Sequence, residues 1–172
     1  MMRGYVQIYT GKGKGKTTAA LGLALRAAGA GLKVYIGQFL KKGDYSEIKA
    51  LQRLSDAITI EQFGLGRFVK GKPTREEIHA AHKGLERLKH VMESGDYDII
   101  VVDEGNVAAD CGLFDVQRLL DLIAIKPSDT ELVITGRGAA PAVMEKADLV
   151  TEMVEIKHYY RKGVPARTGV EK

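Results

Sequence analysis

The chain contains no tryptophan, one cysteine, and aromatic residues amounting to only 6% of its 172 positions. It has no apolar run long enough to span a membrane and no opening signal-peptide pattern. Each scarcity excludes something. With Cys111 alone, no internal disulfide can form, so a cytoplasmic location is the default expectation. The lack of aromatics removes the stacking platform on which single-stranded nucleic acids are held. The net charge of +4 is too small to argue for nucleic acid by itself. No internal repeat, low-complexity tract or long linker interrupts the chain. The length suits one domain, residues 1–172, with a basic tail over 157–172.

What the chain does have is a glycine- and lysine-rich run, Thr10-Gly11-Lys12-Gly13-Lys14-Gly15-Lys16-Thr17-Thr18. It follows an alternating, strand-like stretch over 5–9 and opens a helix-forming stretch rich in small residues. Strand, glycine-rich loop and helix, with Gly-Lys-Thr at the helix start, is the phosphate cradle of nucleotide-binding proteins. Glycines let the backbone turn several N–H groups toward one anion, and the helix start adds more. In this reading Gly11, Lys12, Gly13, Lys14, Gly15, Lys16, Thr17 and Thr18 bind the nucleotide. The Lys16 ammonium reaches phosphate oxygens and the Thr17 hydroxyl meets magnesium. Thr10 departs from the consensus, which has glycine there.

Strand-like and helix-like segments alternate through the rest. Strands are expected over 33–40, 57–63, 98–103, 130–135 and 149–156. Helices are expected over 46–54, 74–94, 115–125 and 141–147, the long one with Thr74 as its N-cap and Glu77 three residues on. The alternation predicts a mainly parallel sheet with helices on both faces, so ligands should bind along the strand C-terminal edge. Thr10, Asp103 and Thr135 each end or follow a strand, and their loops should converge there.

Two motifs join the loop at that edge. Asp103-Glu104 follows the apolar strand, the place of the acidic residue that completes a magnesium shell. Spacing alone does not say which of the two touches metal, and Glu104 in a simple ATPase would orient water. Arg137, in the turn Thr135-Gly136-Arg137-Gly138, has the fork geometry to clamp phosphate. His79 and His82 share a helix face, but no second cluster completes a metal site with them. Cys111 reads as a small buried residue rather than a nucleophile. The loop over 63–73 carries Phe68 and Val69 among glycines and lysines, which suits a lid or a flat apolar ligand surface.

Taken together these segments resemble the ATP:corrinoid adenosyltransferases of the CobA/CobO/BtuR type. The likeness runs over nearly the whole chain: TGKGKGKTTAA from Thr10, Gln38-Phe39-Leu40-Lys41, VDEGNVA from Val102, the TGRG turn, ADLVTEM from Ala147, Lys157-His158, and GVPARTGVE from Gly163. The resemblance implies a RecA-like P-loop NTPase fold of the α/β class. It implies transfer of the 5′-deoxyadenosyl group of ATP to the Co(I) centre of a corrinoid, with release of triphosphate, in vitamin B12 metabolism. It implies Mg²⁺ or Mn²⁺ held by Thr17 and Glu104, catalysis by Lys16, Thr17 and Glu104, a reduced flavoprotein as electron donor, and a homodimer. Better-known members carry a phenylalanine–tryptophan pair facing the corrinoid; here the matching stretch is Gly66-Arg67-Phe68-Val69, with Phe68 the corrinoid-binding candidate. Two other readings compete. One is a P-loop ATPase or kinase in which Glu104 orients the attacking water or hydroxyl. The other, ranked last, is a nucleotide-dependent nucleic-acid-binding module.

Overall fold

A computed structural model describes residues 3–66, 69 and 71–171. The apolar runs form six strands: β1 (Val6–Thr10), β2 (Val34–Gln38), β3 (Ile58–Gln62), β4 (Ile99–Asp103), β5 (Glu131–Thr135) and β6 (Leu149–Glu152). They lie in the order β3-β2-β4-β5-β1-β6, and every pairing is parallel. The helices are α1 (Lys16–Gly29), α2 (Ser46–Leu51), α3 (Arg75–Ser94), α4 (Gly105–Asp110), α5 (Gln117–Ile125) and α6 (Pro141–Glu145). This is the expected α/β P-loop architecture.

The central strands β2, β4 and β5 are buried nearly throughout because both faces are covered, whereas β6 at the sheet edge is exposed. Along β4, Ile99 and Val101 pack into one layer with Ala20, Ala24 and Ala27 of α1. Ile100 and Val102 pack into the opposite layer with Leu85, Leu88 and Leu119. Val34 and Ile36 of β2 join the first layer, and Tyr35 joins the second. The alanine stripe of α1 is therefore core packing, where small side chains let the helix lie close to the sheet.

The long helix α3 begins with the expected capping box. Thr74 Oγ1 accepts from the Glu77 amide at 3.3 Å, and the Glu77 carboxylate accepts from the Thr74 amide at 2.8 Å. Gly95 ends it in the left-handed conformation, φ 69°. Thr74→Ala is expected to cost about 1 kcal/mol. Thermal unfolding should then begin about 2–4 °C lower, read by circular dichroism.

Several boundaries differ from expectation, each for a local reason. β2 ends at Gln38 because Leu40 turns into positive φ (62°). α5 starts at Gln117, not Asp115, because the Asp115 carboxylate accepts from the Gln117 amide at 2.8 Å. The segment 46–54 finishes in a 3-10 turn over Gln52–Leu54. β6 stops at Glu152 because the chain turns onto the phosphate loop, as described below. α4 was not anticipated: it opens on glycine and asparagine, poor helix formers, and is only six residues long. Gly105 is required there, since a Cβ would lie 2.7 Å from the Val102 side chain. No helix among the described residues is long and apolar enough to cross a membrane.

Candidate functional site

Parallel register sets the ends of four strands side by side. Gln38 of β2 pairs with Asp103 of β4, and Tyr9 of β1 with Thr135 of β5. Four loops consequently open on one edge: the phosphate loop after β1, the Leu40–Lys41 turn after β2, Glu104 after β4 and the TGRG turn after β5. The convergence expected for Thr10, Asp103 and Thr135 is present.

The phosphate loop is shaped by its own lysine and by the segment after β6. The buried Lys16 ammonium donates to the carbonyls of Gly11 (2.8 Å) and Gly13 (2.6 Å). Burial pushes this ammonium below its ordinary pKa, while the Glu104 charge works against that shift. Met153 braces the loop from outside: its amide donates to the Thr10 carbonyl at 2.9 Å, and its carbonyl accepts from the Gly13 amide at 2.7 Å. Gly11 has φ 93°, and a Cβ there would lie 2.4 Å from the Met153 carbonyl oxygen. Left-handed backbone and close approach together require glycine at that position. Thr10, the departure from consensus, is buried, and its hydroxyl accepts from the Ala139 amide at 3.4 Å. A glycine would leave the phosphate loop without this tie to the TGRG turn.

Asp103 is the centre of the site, 1% exposed. Its Oδ1 accepts from Thr17 Oγ1 (2.9 Å) and Thr135 Oγ1 (2.7 Å). Its Oδ2 accepts from Gln38 Nε2 (3.0 Å) and Lys41 Nζ (2.9 Å). A carboxylate offers about four lone-pair positions, and here protein donors occupy them all. Thr135 also accepts from the Glu104 amide at 3.0 Å, which fixes the backbone of the next residue. Glu104 stands in positive φ (59°), an uncommon conformation for a residue with a Cβ. Burial, and then the neighbouring Asp103 charge, push the Glu104 carboxyl above its ordinary pKa; Lys41, Lys16 and Arg137 oppose the shift.

Two cavities meet at this cluster. One, about 670 Å³, is lined by Lys14, Lys16, Thr17, Thr18 and Glu47, and by His158 and Glu171 of the tail. The other, about 340 Å³, has the mainly apolar side chains of Leu40, Tyr45, Val69, Val107 and Cys111 around it, together with Arg137. Lys41 and Glu104 line both.

The other sequence candidates fall as follows. Lys12 and Thr18 are exposed on the loop and first helical turn. The Lys14 ammonium turns toward the tail, donating to the Val170 carbonyl (3.0 Å) and the Glu171 carboxylate (3.1 Å). Glu171 also accepts from Arg167 and Tyr159, and these donors hold its carboxyl well below the usual range. Arg137 is exposed and lines the apolar cavity rather than the phosphate cavity. Cys111 lines the apolar cavity too, its thiol pushed up by burial. On α3, Glu86 is taken up by Arg118 at 2.7 Å. Phe68 and Arg67 lie outside the described residues.

Sequence reasoning missed Lys41 and the tail residues His158 and Glu171 as site residues. All three stand in stretches that carry the family likeness, so the signal was present. Nothing in a lone lysine, histidine or glutamate marks it as part of a phosphate-loop cavity.

A family model described as ATP:corrinoid adenosyltransferase BtuR/CobO/CobP matches residues 2–171. A corrinoid adenosyltransferase of Pseudomonas aeruginosa is 33% identical over 170 residues, covering 98% of this chain and 84% of that protein. One from Sinorhizobium is 32% identical over 172 residues, covering 98% of this chain and 80% of its own. One from Escherichia coli K12 is 30% identical over 170 residues, covering 98% and 86%.

Proposed function

Since the chain belongs to the ATP:corrinoid adenosyltransferase family and is thus a transferase, we propose that it moves the 5′-deoxyadenosyl group of ATP to a Co(I) corrinoid and releases inorganic triphosphate. The observation that carries this reading is the meeting of two unlike cavities at Lys41 and Glu104. One is lined by the loop lysines and loop backbone, as a triphosphate requires; the other presents Leu40, Tyr45, Val69, Val107 and Cys111, side chains on which a corrin face could rest. The reacting carbon would sit where they join.

In this reaction the cobalt electron pair forms the Co–C5′ bond while the C5′–O5′ bond breaks. The electrons of that bond leave on triphosphate. Cobalt is formally oxidised from Co(I) to Co(III). No proton needs to be removed from the nucleophile, so the site has no use for a general base. The chain's task is to bind, align and stabilise charge. Lys16 and the loop amides would hold the triphosphate, where developing charge is met without reorganisation. Arg137, at the rim of the apolar cavity, would act on the corrinoid side or on the nucleotide portion that crosses the junction.

The donors present fit magnesium. Thr17 Oγ1 and the Glu104 carboxylate are hard oxygen ligands, the kind magnesium takes alongside phosphate oxygens and water. Asp103, with its lone pairs committed to four protein donors, would serve behind them, which favours Glu104 as the carboxylate that meets the ion. Magnesium bound there supplies charge neutralisation along the triphosphate. A homodimer and a reduced flavoprotein as electron source complete the proposal.

Product identity tests it. With ATP, Mg²⁺ and chemically reduced cobalamin, the expected products are adenosylcobalamin and inorganic triphosphate in equal amounts. ADP and orthophosphate appearing at the same rate with or without corrinoid would replace this reading with an ATPase.

A further inference from the structure

Lys41 arrives at the site by an unusual backbone route. β2 ends at Gln38, Phe39 donates to the Asp103 carbonyl at 2.9 Å, and Leu40 then turns through φ 62°. That turn folds the following lysine back under the strand end. Leu40 and Glu104 are the two non-glycine residues with positive φ among those described, and they follow the ends of adjacent strands. Such conformations cost of order 1–3 kcal/mol each and persist where the surroundings over-determine them. Here they flank one ion pair, Lys41 Nζ to Asp103 Oδ2 at 2.9 Å, with the carboxylate 1% and the lysine 19% exposed.

The pair is tied inward as well. Gln62 donates to Gln38 Oε1 at 3.1 Å, and Gln38 donates to the same Asp103 oxygen that Lys41 uses. Gln62 in turn accepts from the Gly43 amide at 2.9 Å, fixing the loop that carries Lys41. With Oδ2 held by Lys41 and Gln38, Oδ1 is turned toward Thr17 and Thr135. The Thr17 proton is thereby spent on Asp103, and its oxygen is aimed at the phosphate cavity. Lys41 Nζ also donates directly to Thr17 Oγ1 at a longer 3.4 Å, a second hold on the same hydroxyl.

We propose that Lys41 is a positioning residue: it locks the Asp103 carboxylate so that the Thr17 hydroxyl always points its proton inward and its oxygen toward the metal–nucleotide complex. The inference rests on the reading that Thr17 meets the metal beside ATP. Positioning through a carboxylate behind a metal ligand is a general device, and its removal typically weakens metal binding about 10–100-fold.

The test is Mn²⁺ binding followed by electron paramagnetic resonance in the presence of ATP, in the whole chain and without corrinoid. Lys41→Met should weaken Mn²⁺ binding about 10–100-fold, and Lys41→Arg, which keeps the charge, should recover most of it. ATP affinity measured in EDTA should be the same for Lys41→Met and the parent protein. In a Thr17→Val background, Lys41→Met should have no further effect, because the group it positions has gone. If Lys41→Met does not fold, Lys41→Gln takes its place. Unchanged or tighter Mn²⁺ binding in Lys41→Met overturns the proposal. So does an equal loss of metal-free ATP binding, which would make Lys41 a direct phosphate contact, and so do independent effects of Lys41→Met and Thr17→Val. A parent protein that binds no Mn²⁺ with ATP would instead remove the reading of Thr17 beneath it.

Discussion

Lys16→Ala is expected to lower kcat for adenosyl transfer by about 10²–10³-fold, equal to about 2.7–4 kcal/mol of transition-state stabilisation. Lys16 is the cation set deepest in the loop, within 2.8 Å of two loop carbonyls. Those contacts hold the ammonium in place before substrate arrives, so little reorganisation is needed when charge develops on the departing triphosphate. The neighbouring loop lysines are poor substitutes. Lys14 is engaged by the tail, and Lys12 is exposed. Removing the ammonium leaves two buried carbonyls short of a donor, at about 1–3 kcal/mol each where water cannot reach them. The loop should loosen, but the sheet beneath it has its own core and should survive. The measurement is initial rate of adenosylcobalamin formation at saturating ATP, with far-ultraviolet circular dichroism as the control for folding. A variant that turns over at near the parent rate would take Lys16 out of the mechanism.

Asp103→Ala should be the most destabilising single change at the site, by about 3–5 kcal/mol. Four donors converge on this carboxylate, and Lys41 is its direct counter-charge. In the folded protein Asp103 lifts the Lys41 ammonium above its ordinary pKa, although burial alone would push it down. Without the carboxylate, the ammonium remains partly buried, with Glu104 and Glu47 the opposite charges left to act on it. The Thr17 and Thr135 hydroxyls and the Gln38 amide must find other partners at the same time. Urea unfolding should show the loss as a lower midpoint with unchanged slope. Asp103→Asn keeps shape and two acceptor lone pairs, so it should lie between the parent and Asp103→Ala. Equal stability of all three would mean that the cluster contributes nothing to the fold.

The strands and the long helix were legible because their signals are local and redundant. Apolar runs bounded by glycine or acid place β1, β4 and β5 within a residue of their observed bounds, and the Thr74–Glu77 box marks the start of α3. The phosphate loop was legible because its chemistry is contiguous. What could not be read was whatever depends on strands far apart in sequence lying side by side. The Lys41–Asp103–Thr17 cluster joins residues 62 and 86 positions apart, and it exists only because β2 and β4 are neighbours in the sheet. α4 was invisible for a related reason. Its start is set by Gly105 fitting beneath Val102 and Ile134, not by its own helix preference. Lys14, grouped with its loop neighbours in the sequence, is held by the tail through contacts more than 140 residues distant, which no local pattern could announce.

The brace that Met153 places against the phosphate loop has a consequence for the order of events during synthesis. Domains acquire structure as the chain emerges, amino end first. Residues 11–15 are made well before β6, yet the bonds from Gly13 to Met153 and from Met153 to Thr10 need that later strand in place. Until β6 docks against β1, the loop has its glycines but not its mould. The anion-binding surface, made long before β6, is then among the last parts of this sheet to take its working shape, and a nascent chain should be unable to capture ATP until β6 has emerged.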